Sequence, residues 1–290
     1  MTRCAFVAVV GAPNAGKSTL FNRLIGQRFA IVSPRPQSSR QRVVGIHSTD
    51  DVQLIFTDTP GLLDPKYHLQ RAMKREALEA LEGADLVLFL VDGQRDDAPG
   101  PDTLANLGLS RRAPLIVAVN KLDELGEDRR RQLQTTFPEA AFISAARGDG
   151  VAELLLSIQA AAPEGPFHFD PEDASTQPLR FFVAEAVREA AFEQLEEELP
   201  YAVHCEIEEF REDRTPVYIR ATLSVERESQ KRILIGHGGS RIREIGRAAR
   251  GKVEPLVGGA VYLDLWVKVV PNWRRNVAAL ARLGFTLPKE

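Results

Sequence analysis

Short apolar runs alternate with amphipathic stretches through the first half of the chain. Residues 4–10, 52–56, 85–91, 115–119 and 141–143 are rich in Val, Ile, Leu, Phe and Ala, too short for buried helices, and read as strands. Between the later runs, residues 69–81 and 151–162 place apolar side chains at helical spacing. Apolar strands alternating with helices predict an α/β domain, a mostly parallel sheet with helices on both faces. Ligands should gather at the carboxyl ends of its strands.

The pattern breaks at residue 163. The stretch Pro-Glu-Gly-Pro-Phe-His-Phe-Asp-Pro-Glu-Asp-Ala-Ser-Thr-Gln-Pro has no periodicity and reads as a linker, dividing the chain into domains at 1–163 and 179–290 with 164–178 between them. Beyond it, a helical stretch at 181–199 is followed by strands near 203–208 and 217–225. Two helical segments then flank a glycine cluster. A final strand at 260–270 alternates cleanly through Val261, Leu263, Leu265, Val267 and Val269, and a short helix at 272–283 follows. Trp266 lies in that alternating strand, so core packing is the expectation for it ahead of base stacking; Trp273 is a second candidate for stacking.

At 290 residues and 44% apolar side chains, the chain holds enough material for two cores, which excludes a disordered or fibrous protein. Cys4 and Cys205 have no metal-ligand spacing and read as reduced core thiols. No apolar run is long enough to cross a bilayer, and residues 5–10 meet Gly11 too soon for a signal peptide. A cytoplasmic protein is expected, with peripheral contact at the inner face of the cell membrane left open.

The net charge of −3 argues against a nucleic-acid partner only until its distribution is read. From residue 185 to 213 there are eleven acidic and two basic side chains; from 227 to 252 there are eight basic and two acidic. The second domain is therefore a strong charge dipole.

Candidate chemistry sits at strand ends. Gly11-Ala12-Pro13-Asn14-Ala15-Gly16-Lys17-Ser18 follows a strand and precedes a helix beginning near Thr19, the context a phosphate-binding loop requires. Its glycines let backbone N–H groups surround phosphates, Lys17 reaches the outer phosphates, and the Ser18 hydroxyl suits Mg2+. Asn120-Lys121-Leu122-Asp123 ends another strand, and the Asp123 carboxylate can accept from the ring N–H and amine of guanine but would be left unpaired by adenine. Asp58-Thr59-Pro60-Gly61 ends a third, where Asp58 suits the metal shell and the Gly61 N–H a terminal phosphate. Together they point to GTP and GDP as ligands.

The order of these motifs, with Ser144-Ala145-Ala146 after the last strand, resembles the translation-factor-related branch of phosphate-loop GTPases. That resemblance implies a guanine-oxygen contact from the backbone around Ser144 and Ala145. It also implies a first switch between residues 30 and 44, for which Pro34, Pro36 and the pair Ser38-Ser39 are suited, Ser39 being favoured over Ser38 for Mg2+. Relatives carry Thr-Thr before Arg40, so a hydroxyl ligand survives without its methyl group. Leu62 stands where many signalling GTPases have a water-orienting glutamine, so slow turnover is expected. Asn14 is similar to an asparagine that helps relatives bind K+ across the phosphates, and Asn14, Lys17, Ser39 and Gly61 form the candidate catalytic set.

Ile235-Gly236-His237-Gly238-Gly239-Ser240-Arg241, inside the basic segment, carries a Gly-x-x-Gly loop between helices. With the order helix, strand, strand, helix, helix, strand, it resembles the bacterial, type II α+β KH domain, whose loop clamps a nucleic-acid backbone. Lys231, Arg241 and Arg243 are candidate RNA contacts beside residues 235–240. Relatives usually have Lys at His237, so the loop lacks one fixed charge. A phosphate-loop domain joined to such a KH domain resembles bacterial ribosome-assembly GTPases across essentially the whole chain. The resemblance implies binding to 16S ribosomal RNA near its 3′ end and a role in small-subunit maturation, by a protein expected to be a monomer. A GTP-liganded RNA-binding factor with negligible turnover and a membrane-recruited switch are the alternatives.

Overall fold

Uninterrupted aliphatic stretches make β1 (Arg3–Gly11) and β4 (Leu86–Asp92) the centre of a six-stranded sheet, every residue of β4 being buried. The computed structural model describes residues 1–33, 35–62, 65–95 and 113–287, so Pro34 of the expected switch lies outside the described residues. The strand order is β2-β3-β1-β4-β5-β6, with β2 (Val43–Ser48), β3 (Val52–Asp58), β5 (Leu115–Asn120) and β6 (Ala141–Phe142). All neighbours are parallel except β2, which runs antiparallel to β3. Register pairs Val9 with Asp58, Gly11 with Leu90 and Asp92 with Asn120, so the motif-bearing strand ends share one edge.

The helices of this part of the chain are α1 (Lys17–Ile25), α2 (His68–Glu82), α3 (Glu127–Thr136) and α4 (Val151–Ala161). One sheet face buries Ala8, Val10, Phe89 and Val119 against Leu133 and Phe137 at the end of α3. Two elements escape the sequence pattern. β2 is broken by Gly45, where a Cβ would come within 2.8 Å of the Phe21 ring, so the gap in its apolar run is a space for α1. α3 reads Glu-Asp-Arg-Arg-Arg-Gln-Leu-Gln-Thr-Thr, with too little apolar periodicity to announce itself.

The stretch read as a linker is tied down by hydrogen bonds. The chain divides into two compact units, residues 1–30, 34–64 and 73–176 forming the first and residues 31–33, 65–72 and 177–290 the second, so that residues 164–176 belong to the first. The Gly165 N–H donates to the Thr2 carbonyl at 3.1 Å. Fully buried Gln53 accepts from the His168 and Phe169 N–H groups at 2.9 and 3.0 Å and donates to the Phe169 carbonyl at 2.9 Å. The Ile46 N–H donates to the Ala174 carbonyl at 2.9 Å, so this strap also satisfies the outer edge of β2. Its lack of periodicity reflects pairing through backbone atoms and one amide side chain.

In the second unit, β7 (His204–Arg211), β8 (Val217–Val225) and β9 (Val261–Val269) form a sheet with β8 central, antiparallel to β7 and parallel to β9. Helices α5 (Leu179–Gln194) and α8 (Ser240–Val257) enclose its core with Val187, Ala190, Ile245 and Ala249 against Ile219, Ala221 and Leu223. The short α6 (Leu199–Ala202), α7 (Glu228–Ile235) and α9 (Val277–Arg282) complete the order. Trp266 reverses its expectation: it is 59% exposed, on the face opposite Leu265 and Val267, and its indole N–H donates to Asp264 at 3.0 Å. Trp273 is the buried one, donating to the Ala202 carbonyl at 2.9 Å beside His204 and Phe285.

Candidate functional site

The turn from β1 into α1 can be made only by glycine at two points. Gly11 has φ 150°, and a Cβ there would lie 2.4 Å from the Leu90 carbonyl oxygen. Gly16 has φ 94°, and its Cβ would lie 2.2 Å from the Asn120 amide nitrogen. Between them the Ala15 N–H closes a turn onto the Ala12 carbonyl, and exposed Asn14 occupies the left-handed region at φ 64°. Lys17 is buried, its ammonium donating to the Gly11 and Ala12 carbonyls at 3.1 and 2.9 Å.

Three oxygens converge below this loop. The Ser18 hydroxyl donates to Asp58 Oδ2 at 2.7 Å, the Ser39 hydroxyl to the same oxygen at 3.2 Å, and the two hydroxyls are 3.0 Å apart. Asp58 is fully buried, and its Oδ1 has no hydrogen-bond partner among the described residues. Burial pushes the Asp58 carboxyl up to about 6 and the Lys17 ammonium down to about 8. A buried cluster of hard oxygen donors with an unpaired carboxylate oxygen fits a divalent cation such as Mg2+. Thr59 is anchored by its hydroxyl to the Val9 carbonyl at 2.8 Å. Gly61 then meets the phosphate loop so closely that a Cβ would sit 2.9 Å from Pro13. The Leu62 N–H donates to the Gly11 carbonyl at 3.2 Å, and its side chain offers no hydrogen bond to a water.

The candidate base-recognition residues gather around Asn120, which is 3% exposed. Its amide donates to the Ala15 carbonyl at 2.8 Å and accepts from the Ala145 N–H at 2.8 Å, joining phosphate loop and Ser144-Ala145-Ala146 loop. Lys121, at φ 68°, pairs with Asp92 at 2.7 Å. A hydrogen bond from Ser144 holds the Asp123 carboxyl below the ordinary aspartate range, with Arg147 at 3.5 Å. Asp123 is thereby an ionised, acceptor-only group, matched to the two adjacent donors of guanine.

The second site is the turn between α7 and α8. Gly236, Gly238 and Gly239 have φ of 74°, 55° and 77°. A Cβ on Gly236 would fall 2.8 Å from the Arg241 backbone nitrogen, whereas one on Gly238 meets nothing within 4 Å, leaving that side open to an approaching chain. Arg243 holds the loop from within, donating to the Gly238 and Gly239 carbonyls at 3.0 and 3.1 Å. His237, Gly238 and Ser240 are exposed, Lys231, Ile235 and Arg241 half-buried, and apolar Ile233 is 51% exposed beside them. Lys252 turns away to pair with Glu189 and Glu193, so the basic segment is partly neutralised at its far end.

Comparison with known proteins agrees with both halves. The 50S ribosome-binding GTPase family matches residues 6–121 and the KH domain family residues 187–274. GTPase Era of Halothermothrix orenii is 41% identical, the match covering 98% of each chain; GTPase Era of Desulfovibrio desulfuricans is 41% identical over 97% of each. The chain belongs to the Era family. A crystal structure of Era with MgGDPNP and nucleotides 1506–1542 of 16S ribosomal RNA superimposes with a TM-score of 0.91 at 36% identity, covering 99% of this chain and 100% of that one. An Aquifex aeolicus Era variant bound to GDP and aluminium fluoride gives 0.90 at 36% identity, with the same coverage.

Within this Era fold the sequence motifs identify the residues at the strand ends but not those that hold them. Asp92, at the end of β4, is absent from the sequence candidates, its one signal being a carboxylate that closes an apolar run. Arg23 carried no signal: it lies on α1 and reaches the Ala145 and Ala146 carbonyls at 2.7 and 2.6 Å, 122 and 123 residues away.

Proposed function

We propose that this chain is a magnesium-dependent GTPase switch whose nucleotide state governs binding of its KH unit to 16S ribosomal RNA near the 3′ end during small-subunit maturation. The observation that carries this reading is the convergence of Ser18, Ser39 and Asp58 at 2.7–3.2 Å beside a guanine-selecting Asp123 on one sheet edge. Ser18, Ser39 and Asp58 would hold Mg2+, which supplies charge neutralisation between the outer phosphates. The residues of the chain do the rest. Lys17 exchanges its two loop carbonyls for phosphate oxygens, the loop N–H groups surround them, and the Gly61 N–H reports the terminal phosphate. Leu62 cannot orient water, so turnover is slow. Asn14, exposed on the loop, would hold a K+ ion that offsets charge developing in the transition state.

The Era structure with a 16S ribosomal RNA fragment supports an RNA ligand for the open Gly238 side of the KH loop. We place the protein in the cytoplasm as a monomer acting on the small subunit, with peripheral contact at the inner face of the cell membrane as a secondary station. No helix among the described residues is long and apolar enough to span that membrane.

Multiple-turnover phosphate release, in K+ against Na+ and with or without small subunits, tests the enzyme. Turnover should be faster in K+ by about tenfold, a difference of about 1.4 kcal/mol in barrier. Absence of turnover in every condition would leave a GTP-liganded binding factor. Gly238→Asp adds a negative charge where a phosphate would approach and should abolish RNA binding while GTP binding persists; unchanged RNA binding would favour the membrane-recruited alternative.

A further inference from the structure

The Arg23 guanidinium sits two turns along the helix that begins at Lys17 and is aimed at the base-recognition loop. Its Nε donates to the Ala145 carbonyl at 2.7 Å and a terminal nitrogen to the Ala146 carbonyl at 2.6 Å. The loop is shaped to admit it. Gly148 has φ 100°, and a Cβ there would lie 2.8 Å from the Arg23 side chain. A planar fork meeting two consecutive carbonyls fixes two consecutive peptide planes, which a point charge on a flexible stem would not.

Each trans peptide points its N–H opposite to its C=O. With the Ala145 carbonyl turned to Arg23, the Ala146 N–H faces the other way, and it has no hydrogen-bond partner among the described residues. With the Ala146 carbonyl also held, the Arg147 N–H is directed to the Ser144 hydroxyl, to which it donates at 3.0 Å. That hydroxyl is the group bonded to Asp123. The Ser144 and Ala145 N–H groups, expected to meet the guanine oxygen, are engaged by the Asp149 carbonyl and by Asn120. One guanidinium thus orients both sides of base recognition, the free Ala146 N–H for the guanine oxygen and the hydroxyl bonded to Asp123. Asn120 fixes the Ala145 N–H from the opposite side, so the peptides are held between two anchors.

We infer that Arg23 is a positioning residue for guanine selectivity, coupling the phosphate-loop helix to the base loop. It acts through the peptides of residues 145–147. The inference rests on the reading of this site as a guanine-nucleotide site.

The test uses the full chain, with fluorescent GDP dissociation followed by stopped flow and displacement by GDP, ADP and inorganic tripolyphosphate. Arg23→Ala should release GDP about tenfold faster and lower the GDP-over-ADP preference by a similar factor, while tripolyphosphate, which has no base, binds as to the parent. The loss should fall on the KM for GTP, with single-turnover hydrolysis at saturation within about twofold of the parent. Arg23→Lys, which keeps the charge but not the fork, should recover less than half of the selectivity and serves as the folded control. Unchanged GDP release in Arg23→Ala, or equal weakening of tripolyphosphate and GDP, would overturn the inference. A parent protein that fails to prefer GDP over ADP would instead remove the nucleotide reading beneath it.

Discussion

At the scale of single residues, the site is organised by what burial does to charge. Asp58 and Lys17 are both driven toward their neutral forms by burial, so each is poised to gain when a cation and phosphates arrive. Asp123 is treated in the opposite way: the Ser144 hydrogen bond keeps it ionised, which suits an acceptor of two hydrogen bonds. Asp123→Asn replaces one acceptor oxygen with a donor that faces the guanine amine. GDP affinity should fall about 10–100-fold, or about 1.4–2.8 kcal/mol, and xanthosine diphosphate, which presents an oxygen in place of that amine, should gain affinity. Equilibrium titration with both nucleotides decides it, and equal loss of the two would show that Asp123 supports the loop without reading the base. These candidate residues were legible in sequence because the motifs are contiguous. Arg23 was not, since its partners lie more than 120 residues away.

At the scale of elements, the departures arise where side-chain pattern records little of the packing: α3 buries little beyond Leu133, and β2 and the strap at 164–176 meet through backbone groups. The strap depends on Gln53, which binds His168 and Phe169 through three hydrogen bonds at 2.9–3.0 Å. Phe169 also packs on the cluster of Cys4, Ile46 and Ile55. Gln53→Ala should leave the part-buried His168 and Phe169 N–H groups without their acceptor and cost about 1 kcal/mol. A thermal midpoint lower by several degrees, with new proteolytic cleavage near residue 169, is the expected result. An unaltered cleavage pattern would mean that the strap is held elsewhere. Trp266 illustrates the converse. Its strand alternates as expected, but alternation has two phases, and Trp266 belongs to the set that faces away from the Leu265 and Val267 core.

At the scale of the whole molecule, two cores carry two chemistries, and charge is distributed accordingly. The acidic residues of α5 take up Lys252 and Glu254 faces Arg250, while Arg232, Arg243 and Arg247 are exposed around or beyond the Gly-x-x-Gly loop. RNA affinity should therefore fall with salt at a logarithmic slope of about −2 to −3.5, as for about three to five neutralised phosphates on a single strand. A slope near zero in a salt titration would exclude backbone contact as the source of affinity. The sequence by itself determined which residues stand at the strand ends and the KH turn, because those motifs are short, contiguous and demanded by local backbone geometry. It also determined the element types wherever one face is continuously apolar. Only the tertiary structure decided which side of β9 is core and which groups clamp the base loop. It alone showed that the proline-rich stretch is docked along β2, because each of these depends on pairing between residues far apart in the chain.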